Sequence, residues 1–580
     1  MAASESDNNA ILDILIVGAG PCGLAVASRL CERSPSALFT DEEHQRYHWI
    51  KKHGHRMSLK CRKGGAVIPS SSSSSSSSSC CSQDGNSDAG GDAPAKCRLR
   101  YKTLVLDATG DSWMNRWNKL FATFQISHLR SPMFWHVDPA ERDALLAWAH
   151  ELGRQDDLVE LRGCVGKEIS KHLRKSRLSK HSKHHSVVEI DERDRKDYYT
   201  PPQAVFADHN KSIANRYGIQ DGLIRQGRVQ DIKYAKFPNV SRTEDLFQVT
   251  SEDGTTHYAR SVVLAVGPAN APHIPAGIEG LSPAPGQWEQ PPRTSHSMRI
   301  THGQIPDPAV QKIINSGRTT NVLVIGGGLT SAQISDVNIR KGVTKVWHMM
   351  RGTAKIKAFD VDLAWMGKYR NVEHAYFWGA DSDEERLEQI RKARGGGSIP
   401  SLYWKKVKAH IASGRLELRQ KTRLTSASFD EASQKWTVKT EPPIDEAILP
   451  KFDFIYFATG IEANVETLPY MQTLLESHPI RTQGGLPCLT EDLMWRDDVP
   501  LFVAGRLASL RLGPAGPNLG GARTGAERIS WALDEFLEER LASEESQGFE
   551  PEIFDEEQVA FVTGRTNRYR SLAIEGDEDW

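Results

Sequence analysis

Two glycine-rich runs carry the chemistry that this 580-residue chain offers, Gly18-Ala19-Gly20-Pro21-Cys22-Gly23 and Gly326-Gly327-Gly328-Leu329-Thr330-Ser331. In the first, three glycines stand at G-x-G-x-x-G spacing. The first glycine permits a tight turn, and the second lets backbone approach a pyrophosphate with no Cβ in the way. The third lets the following helix pack closely on the preceding strand. The unpaired N–H groups and positive dipole end of that helix then face phosphate. The second run keeps the first two glycines and places Ser331, a small residue, at the third position. Each run predicts a dinucleotide site; read alone, each is also compatible with a plain βα turn.

The charges that follow the two runs differ. About 20 residues past Gly20, where an acid can accept hydrogen bonds from ribose hydroxyls, the chain carries Thr40-Asp41-Glu42-Glu43. Asp41 is the first choice, with Glu42 next, unless the run is only an exposed acidic turn. An acid there favours FAD or NAD over a 2′-phosphorylated cofactor. After the second run the corresponding strand ends at Arg351, with Lys355 and Lys357 close behind. A cation at that corner suits the 2′-phosphate of NADPH, which arginine grips bidentately. FAD at the first site and NADPH at the second is the natural pairing.

The elements that must position these residues follow from apolar patterning. Leu12 and Ile14–Val17 read as a strand buried on both faces, and Leu24, Ala27 and Cys31 recur at helical intervals behind the glycines. Further strands are expected at Ala37–Phe39, Tyr101–Asp107, Ser261–Val266, Asn321–Ile325, Lys345–Met350, Phe452–Phe457 and Leu501–Val503. Helices are expected over Glu141–Gly153 and after Asn518-Leu519-Gly520-Gly521, where a helix N-terminus could face the polar end of a flavin ring. The aromatic residues Trp113, Trp117, Phe121, Phe124, Phe134 and Trp135 are either a flavin wall or plain core.

Other stretches read as connections. Ten serines from Ser70 to Ser79, and the polar sequence after them, lack the apolar surface to offset ordering entropy and predict a disordered surface insertion. The basic run Lys167–Ser186 holds His181, His184 and His185 but no acidic or cysteine companions, so a solvated loop is preferred to a metal site. Proline-rich segments at Pro268–Pro275 and Pro283–Pro292 predict a link between domains. Charge is balanced, 73 Lys and Arg against 74 Asp and Glu, which gives no global pull toward nucleic acid or an anionic membrane. Eight cysteines without a C-x-x-C suggest neither zinc nor a dithiol redox pair, and no metal is expected. With no signal peptide or membrane-length apolar span in the sequence, a soluble, cytoplasmic protein is the expectation.

The order of G-A-G-P-C-G, V-L-A-V-G, G-G-G-L-T-S-A, F-A-T-G and V-A-G resembles the two-dinucleotide flavoprotein monooxygenases, and among them the siderophore-type ornithine and lysine N-hydroxylases. The segments HLRSPMFWHVDP, VGKEISKH and LGPAGPNLGGAR are more similar still to the oxidative-stress-induced growth inhibitor proteins. The likeness runs from Ile11 to Leu537, apart from the serine insertion.

It implies an α/β fold of two Rossmann-like domains, with an NADPH domain (301–450) inserted in a discontinuous FAD domain (8–300 and 451–540) and an acidic extension at 541–580. FAD would sit at Gly18, Gly20, Gly23 and Asp41, with the Trp49–Met57 loop near the flavin. NADPH would sit at Gly326, Gly328, Thr330, Ser331, Arg351 and Lys355. Thr459, Gly460, Gly505, Asn518 and Leu519 are further expected cofactor contacts, and His296, in a His-Ser pair between domains, is the catalytic or positioning candidate. The implied activity is NADPH- and O2-dependent oxygenation of a small molecule, an amine or a secondary-metabolite intermediate, through a flavin C4a-(hydro)peroxide. A flavin-binding regulatory protein with little turnover is the alternative. A non-oxygenating FAD/NADPH oxidoreductase is another, though a disulfide reductase would need the absent C-x-x-C. The asparagine-bearing segments of the N-hydroxylases are replaced by FDVDLAWMGKYR and GGGSIPSLYWKKV, so the substrate is not transferred. The F-x-G-x-x-x-H signature of other flavin monooxygenases is absent as well.

Overall fold

A computed structural model describes residues 11–32, 99–161, 164, 192–220, 222–269, 272–275, 277–281, 291–300, 304–366 and 370–544. Asp41, Glu42, Trp49, Met57, the strand expected at Ala37–Phe39, the serine run, the histidine-rich run and the 545–580 end of the acidic extension lie outside the described residues.

The chain opens with β1 (Leu12–Val17), in which Ile14 to Val17 are buried, and the glycine turn leads straight into α1 (Pro21–Cys31). Pro21 occupies the first helical turn, where its missing N–H costs nothing. Next come β2 (Thr103–Asp107), β3 (Ile224–Gln226), and the meander β4 (Val229–Lys236), β5 (Asp245–Ser251) and β6 (Thr256–Leu264). A second sheet follows from β7 (Thr294–His296), β8 (Asn321–Ile325), α2 (Leu329–Arg340), β9 (Lys345–Met349), β10 (Leu416–Arg419) and β11 (Phe454–Phe457). The chain then returns to the first sheet through β12 (Met494–Arg496) and β13 (Val499–Val503) and ends its described part in α3 (Leu519–Glu544).

The first sheet runs β12-β13-β6-β1-β2-β3, with β4 and β5 attached at β6. β1 lies parallel to β2 on one side and to β6 on the other, so its apolar residues meet protein on both faces. The second sheet, β10-β9-β8-β11-β7, is parallel throughout, with β8 in the same central position. Its side chains alternate between two cores. Val322, Val324 and Val346 pack toward α2 and the helix Ser401–Ala412. Leu323, Trp347, Ile455 and Phe457 pack with Trp436 and Val438 of a covering hairpin. β7 and β11 lie outside residues 301–450, so this sheet draws on chain from both flanks of that range.

The two sheets repeat one another at their centres, which is the two-domain α/β arrangement expected from the sequence. Gly18 ends the β1 run at φ +113° and Gly326 ends the β8 run at φ +154°. A Cβ on Gly18 would lie 2.5 Å from the carbonyl oxygen of Ala265, just past β6. A Cβ on Gly326 would run into the carbonyl of Ala458, just past β11. At the third position the two turns diverge. A Cβ on Gly23 would collide with the Gly18 carbonyl, whereas Ser331 is accommodated fully buried, its Oγ donating to the Gly328 carbonyl at 2.7 Å.

The aromatic residues of the 113–135 stretch divide between roles. Trp117 lines the cavity described below, Phe124 packs in the second-sheet core, and the Trp135 indole fills the space above Gly520. The helix expected over Glu141–Gly153 is observed at Ala144–Glu151.

The glycines of the first turn are therefore not equivalent for folding. Gly23→Ala should destabilise by about 1–3 kcal/mol, the usual scale of backbone overpacking. Gly20→Ala, which meets nothing within 4 Å, should move the denaturation midpoint far less. Equal midpoints for the two variants in chemical unfolding would contradict this packing.

Candidate functional site

Both glycine turns open into one cavity of about 2090 Å³ at the carboxyl ends of the central strands, the position where open α/β sheets bind ligands. Of the residues singled out in the sequence, Gly18, Gly20, Gly326, Gly328, Thr330, Arg351, Lys355, Thr459, Gly460, Gly505, Asn518 and Leu519 all line it. Gly20 leaves its Cβ direction open to at least 4 Å, as a turn that backs onto a ligand must. Gly23 and Ser331 lie behind the lining, where they set the approach of α1 and α2 to their turns.

The cavity is far more basic than the chain as a whole. Among the described residues, ten Lys or Arg side chains line it against three acids, Asp107, Glu252 and Asp360. Sequence totals of 73 and 74 conceal this surplus because the compensating acids lie elsewhere. Low-dielectric walls focus such a field, so the cavity is built for anionic ligands.

Among the described residues, an acid beside the first turn is Asp107, which was not among the sequence candidates. β2 is the strand laid against β1, and Asp107 ends it. One carboxylate oxygen accepts from the Ala19 N–H at 2.8 Å, inside the glycine turn. The other accepts from the Thr109 N–H at 2.7 Å and hydroxyl at 2.6 Å. Its signal in the sequence is an apolar run ending in aspartate. The usual spacing of about 20 residues points to Asp41 instead.

Asn518 lines the cavity, but its amide is already used. Nδ2 donates to Asp360 at 3.0 Å and Oδ1 accepts from Arg394 at 3.0 Å, while Arg394 also donates to Asp360 at 2.7 Å. Thr459 donates its hydroxyl to the His273 carbonyl, and the Gly460 carbonyl accepts from the His273 N–H at 3.0 Å. Gly505, at φ +74°, lets the Cys22 thiol approach; its Cβ would lie 3.0 Å from Sγ. Burial pushes the Cys22 thiol up to about 12, which removes it as a nucleophile at neutral pH. Arg351 is exposed at the cavity rim, and Lys355 Nζ donates to the Gly395 carbonyl at 2.5 Å.

His296 is fully buried, and Ser297, Met298 and Arg299, rather than the imidazole, line the cavity. Its Nδ1 accepts the Met298 N–H at 3.2 Å, so the ring caps the short turn Ser297–Arg299. Burial lowers its pKa to about 4. A second buried histidine, which no sequence motif marks, sits in β9: His348 Nε2–H donates to the Gly326 carbonyl at 2.9 Å and so braces the second glycine turn. Burial holds it near 4 as well. Among the described residues no cluster of His, Cys, Asp or Glu is arranged to hold a metal ion, and no helix is long and apolar enough to cross a membrane.

No family model matches the chain, and no curated protein sequence matches it. Solved structures do. An ornithine hydroxylase from Pseudomonas aeruginosa superposes with a TM-score of 0.54 at 16% identity, covering 91% of this chain and 100% of that one. An ornithine N-hydroxylase from Kutzneria sp. 744, solved with reduced FAD, NADP+ and L-ornithine, gives 0.54 at 14% identity over 91% and 100%. The FAD-bound cadaverine monooxygenase of desferrioxamine biosynthesis from Erwinia amylovora gives 0.53 at 14% over 91% and 95%. At these identities the likeness establishes the fold, two dinucleotide-type domains over nearly the whole chain.

His296 and His348, two of the histidines whose pKa burial lowers, link stability to pH. Both rings are neutral when folded, and unfolding returns them to an ordinary value of 6.5. Between about pH 4 and 6.5 the unfolded chain therefore binds more protons. Their contribution is intact above 6.5 and is lost as pH falls through that window, by about 1.4 kcal/mol per pH unit for each ring. In urea titrations across this range, His348→Gln should flatten the pH slope by roughly one histidine's share; an unchanged slope would contradict the assignment.

Proposed function

We propose that the chain is an FAD- and NADPH-dependent monooxygenase acting on a small molecule, an amine or a secondary-metabolite intermediate. The observation that carries this reading is the pair of matching glycine turns, one beside an acid and one beside bases, opening into a single basic cavity. The residues fit the two cofactors. Gly18 and Gly20 with the N-terminus of α1 suit the FAD pyrophosphate, and Asp107 stands where a ribose hydroxyl is met. Gly328 and Thr330 at the start of α2 suit the second pyrophosphate, with Arg351 and Lys355 for a 2′-phosphate. The surplus of seven positive charges on the described lining is close to the roughly six negative charges that two diphosphates and a 2′-phosphate carry. The three solved proteins compared above are ornithine hydroxylases and a cadaverine monooxygenase, two of them solved with FAD, which supports the same pairing.

When bound, FAD would supply electron transfer and oxygen activation, chemistry that belongs to the cofactor. The chain's part is to bind, orient and keep water out. Asp107 fixes the first turn through the Ala19 N–H, and His348 fixes the second through the Gly326 carbonyl. The Asp360–Arg394–Asn518 network draws the start of α3 toward the second-sheet connections, closing one wall of the cavity. His296 acts as a buried cap beside the lining, so we assign it a positioning role through the Ser297–Arg299 turn.

A flavin-binding regulatory protein of growth-inhibitor type, with little turnover, is a second reading. One observation favours it: a Cβ on Gly328 would lie 3.6 Å from the Cα of Gly397, so backbone already stands against the second turn, where Gly20 has open space.

Purified protein decides between them. Bound flavin with rapid, substrate-dependent NADPH consumption under air, assayed across candidate amines, is the expected result. Bound flavin with only slow reduction would favour the regulatory reading, and a chain that takes up no flavin would remove both. Arg351→Ala should raise KM for NADPH by about tenfold or more while leaving that for NADH nearly unchanged. Equal effects on the two nucleotides would remove the 2′-phosphate assignment.

A further inference from the structure

Arg130 makes more hydrogen bonds than its place in a connecting segment requires. Nε donates to the Ala358 carbonyl at 3.0 Å, and one terminal nitrogen donates to the Ser398 carbonyl at 3.0 Å. The other terminal nitrogen reaches the Lys357 carbonyl at 3.0 Å, the Phe359 carbonyl at 2.8 Å and Ser398 Oγ at 2.8 Å. All five acceptors belong to the chain between β9 and β10 of the second sheet, whereas Arg130 follows β2 of the first. Two of the five are on Ser398, at one end of the glycine run Gly395–Ser398. The other end is held by Arg394, which donates to the Pro514 carbonyl at 2.9 Å and to Asn518, both just ahead of α3.

This run is a strap laid on the second glycine turn. A Cβ on Gly397 would lie 3.2 Å from both the Cα and N of Gly328, so a side chain there would press the strap off the turn by a few tenths of an ångström. All four strap residues line the cavity. Among the described residues, the N–H groups of Gly396, Gly397 and Ser398 donate to no backbone carbonyl. Consecutive free N–H groups in a glycine loop form a concavity suited to an anion.

We propose that Arg130 is a positioning residue for the nicotinamide dinucleotide: by fixing Ser398 it holds the strap against Gly328, so that the strap's N–H groups join that turn in binding the diphosphate. This rests on the FAD/NADPH reading above. Arg130 acts through the strap, because its three nitrogens are already engaged with protein acceptors. A lysine cannot replace it, because one ammonium with three donors cannot serve five acceptors spread over two loop segments.

The test is NADP+ binding by titration calorimetry to the flavin-loaded protein without turnover, for wild type, Arg130→Lys, Arg130→Ala and Gly397→Ala. All three variants should bind NADP+ on the order of tenfold more weakly at wild-type flavin content, since charge-assisted hydrogen bonds are lost or the strap is displaced. Guanidinium ion should restore part of the loss in Arg130→Ala and none in Gly397→Ala. In turnover, KM for NADPH should rise more than kcat falls. Unchanged or tighter NADP+ binding in flavin-loaded variants would overturn the proposal and make the strap a cover instead. If Arg130→Ala loses its flavin, Gly397→Ala alone decides, and wild-type affinity there overturns the proposal. Wild-type protein that holds flavin yet binds no NADP+ would instead overturn the functional reading, and this inference with it.

Discussion

The structure depends on a steric constraint made twice: the backbone carbonyl that ends one parallel strand presses against the first residue after its central neighbour. Ala265 does this to Gly18 and Ala458 does it to Gly326. No side chain fits between, and positive φ at both glycines turns the chain sharply away from the sheet. That turn aims the N-termini of α1 and α2 into the cavity. Had either position carried a Cβ, the strands on either side of it would be forced apart. Leu12–Val17 would then lose its place between β2 and β6. The fold is thus organised by what these two positions exclude.

Around that constraint the protein spends polar groups on rigidity. Asp107 occupies the Ala19 N–H, His348 occupies the Gly326 carbonyl, and Asn518 is shared between Asp360 and Arg394. Each of these side chains holds backbone or another side chain in place around the cavity. Buried polar groups require partners, and satisfied networks specify one arrangement. The cavity's cations present the complementary case. Their mutual repulsion is relieved when anions bind, so a near-neutral chain that gathers positive charge on this lining is suited to anionic ligands.

Much of this architecture was legible from the sequence, because short apolar strands ending in glycine announce both their burial and their turns. The central strands, the two glycine runs and the glycine-ended strands before Gly460 and Gly505 follow from local pattern alone. What was not legible depended on neighbours in space. The spacing rule counts residues along the chain, whereas the sheet counts adjacent strands. Asp107 meets the turn because its strand lies against β1, a neighbour relation that no count along the chain from Gly20 reveals. Similarly, Phe454–Phe457 reads as a buried strand, but nothing in its composition says which sheet it joins; its register with β8 decides that. His296 was legible as unusual, yet its pattern could not separate a cap from a reactive group.

Arginine is the residue whose role sequence conveys least, and the reason is physical. Its long side chain decouples backbone position from where the charge ends up, and its five donors can be divided among loops far apart in the chain. Arg29 pairs with Glu527 across 498 residues, and Arg130 reaches Ser398 across 268. Neither contact has a local signature. Yet such contacts hold α1 to α3 and the strap to the first half of the molecule. A cavity lined by both halves of a chain needs this kind of tie. Two glycine turns can face one cavity only if the two halves keep a fixed relation, and backbone turns within one half cannot enforce that. The glycines make each site; the arginines determine that the two sites share a cavity.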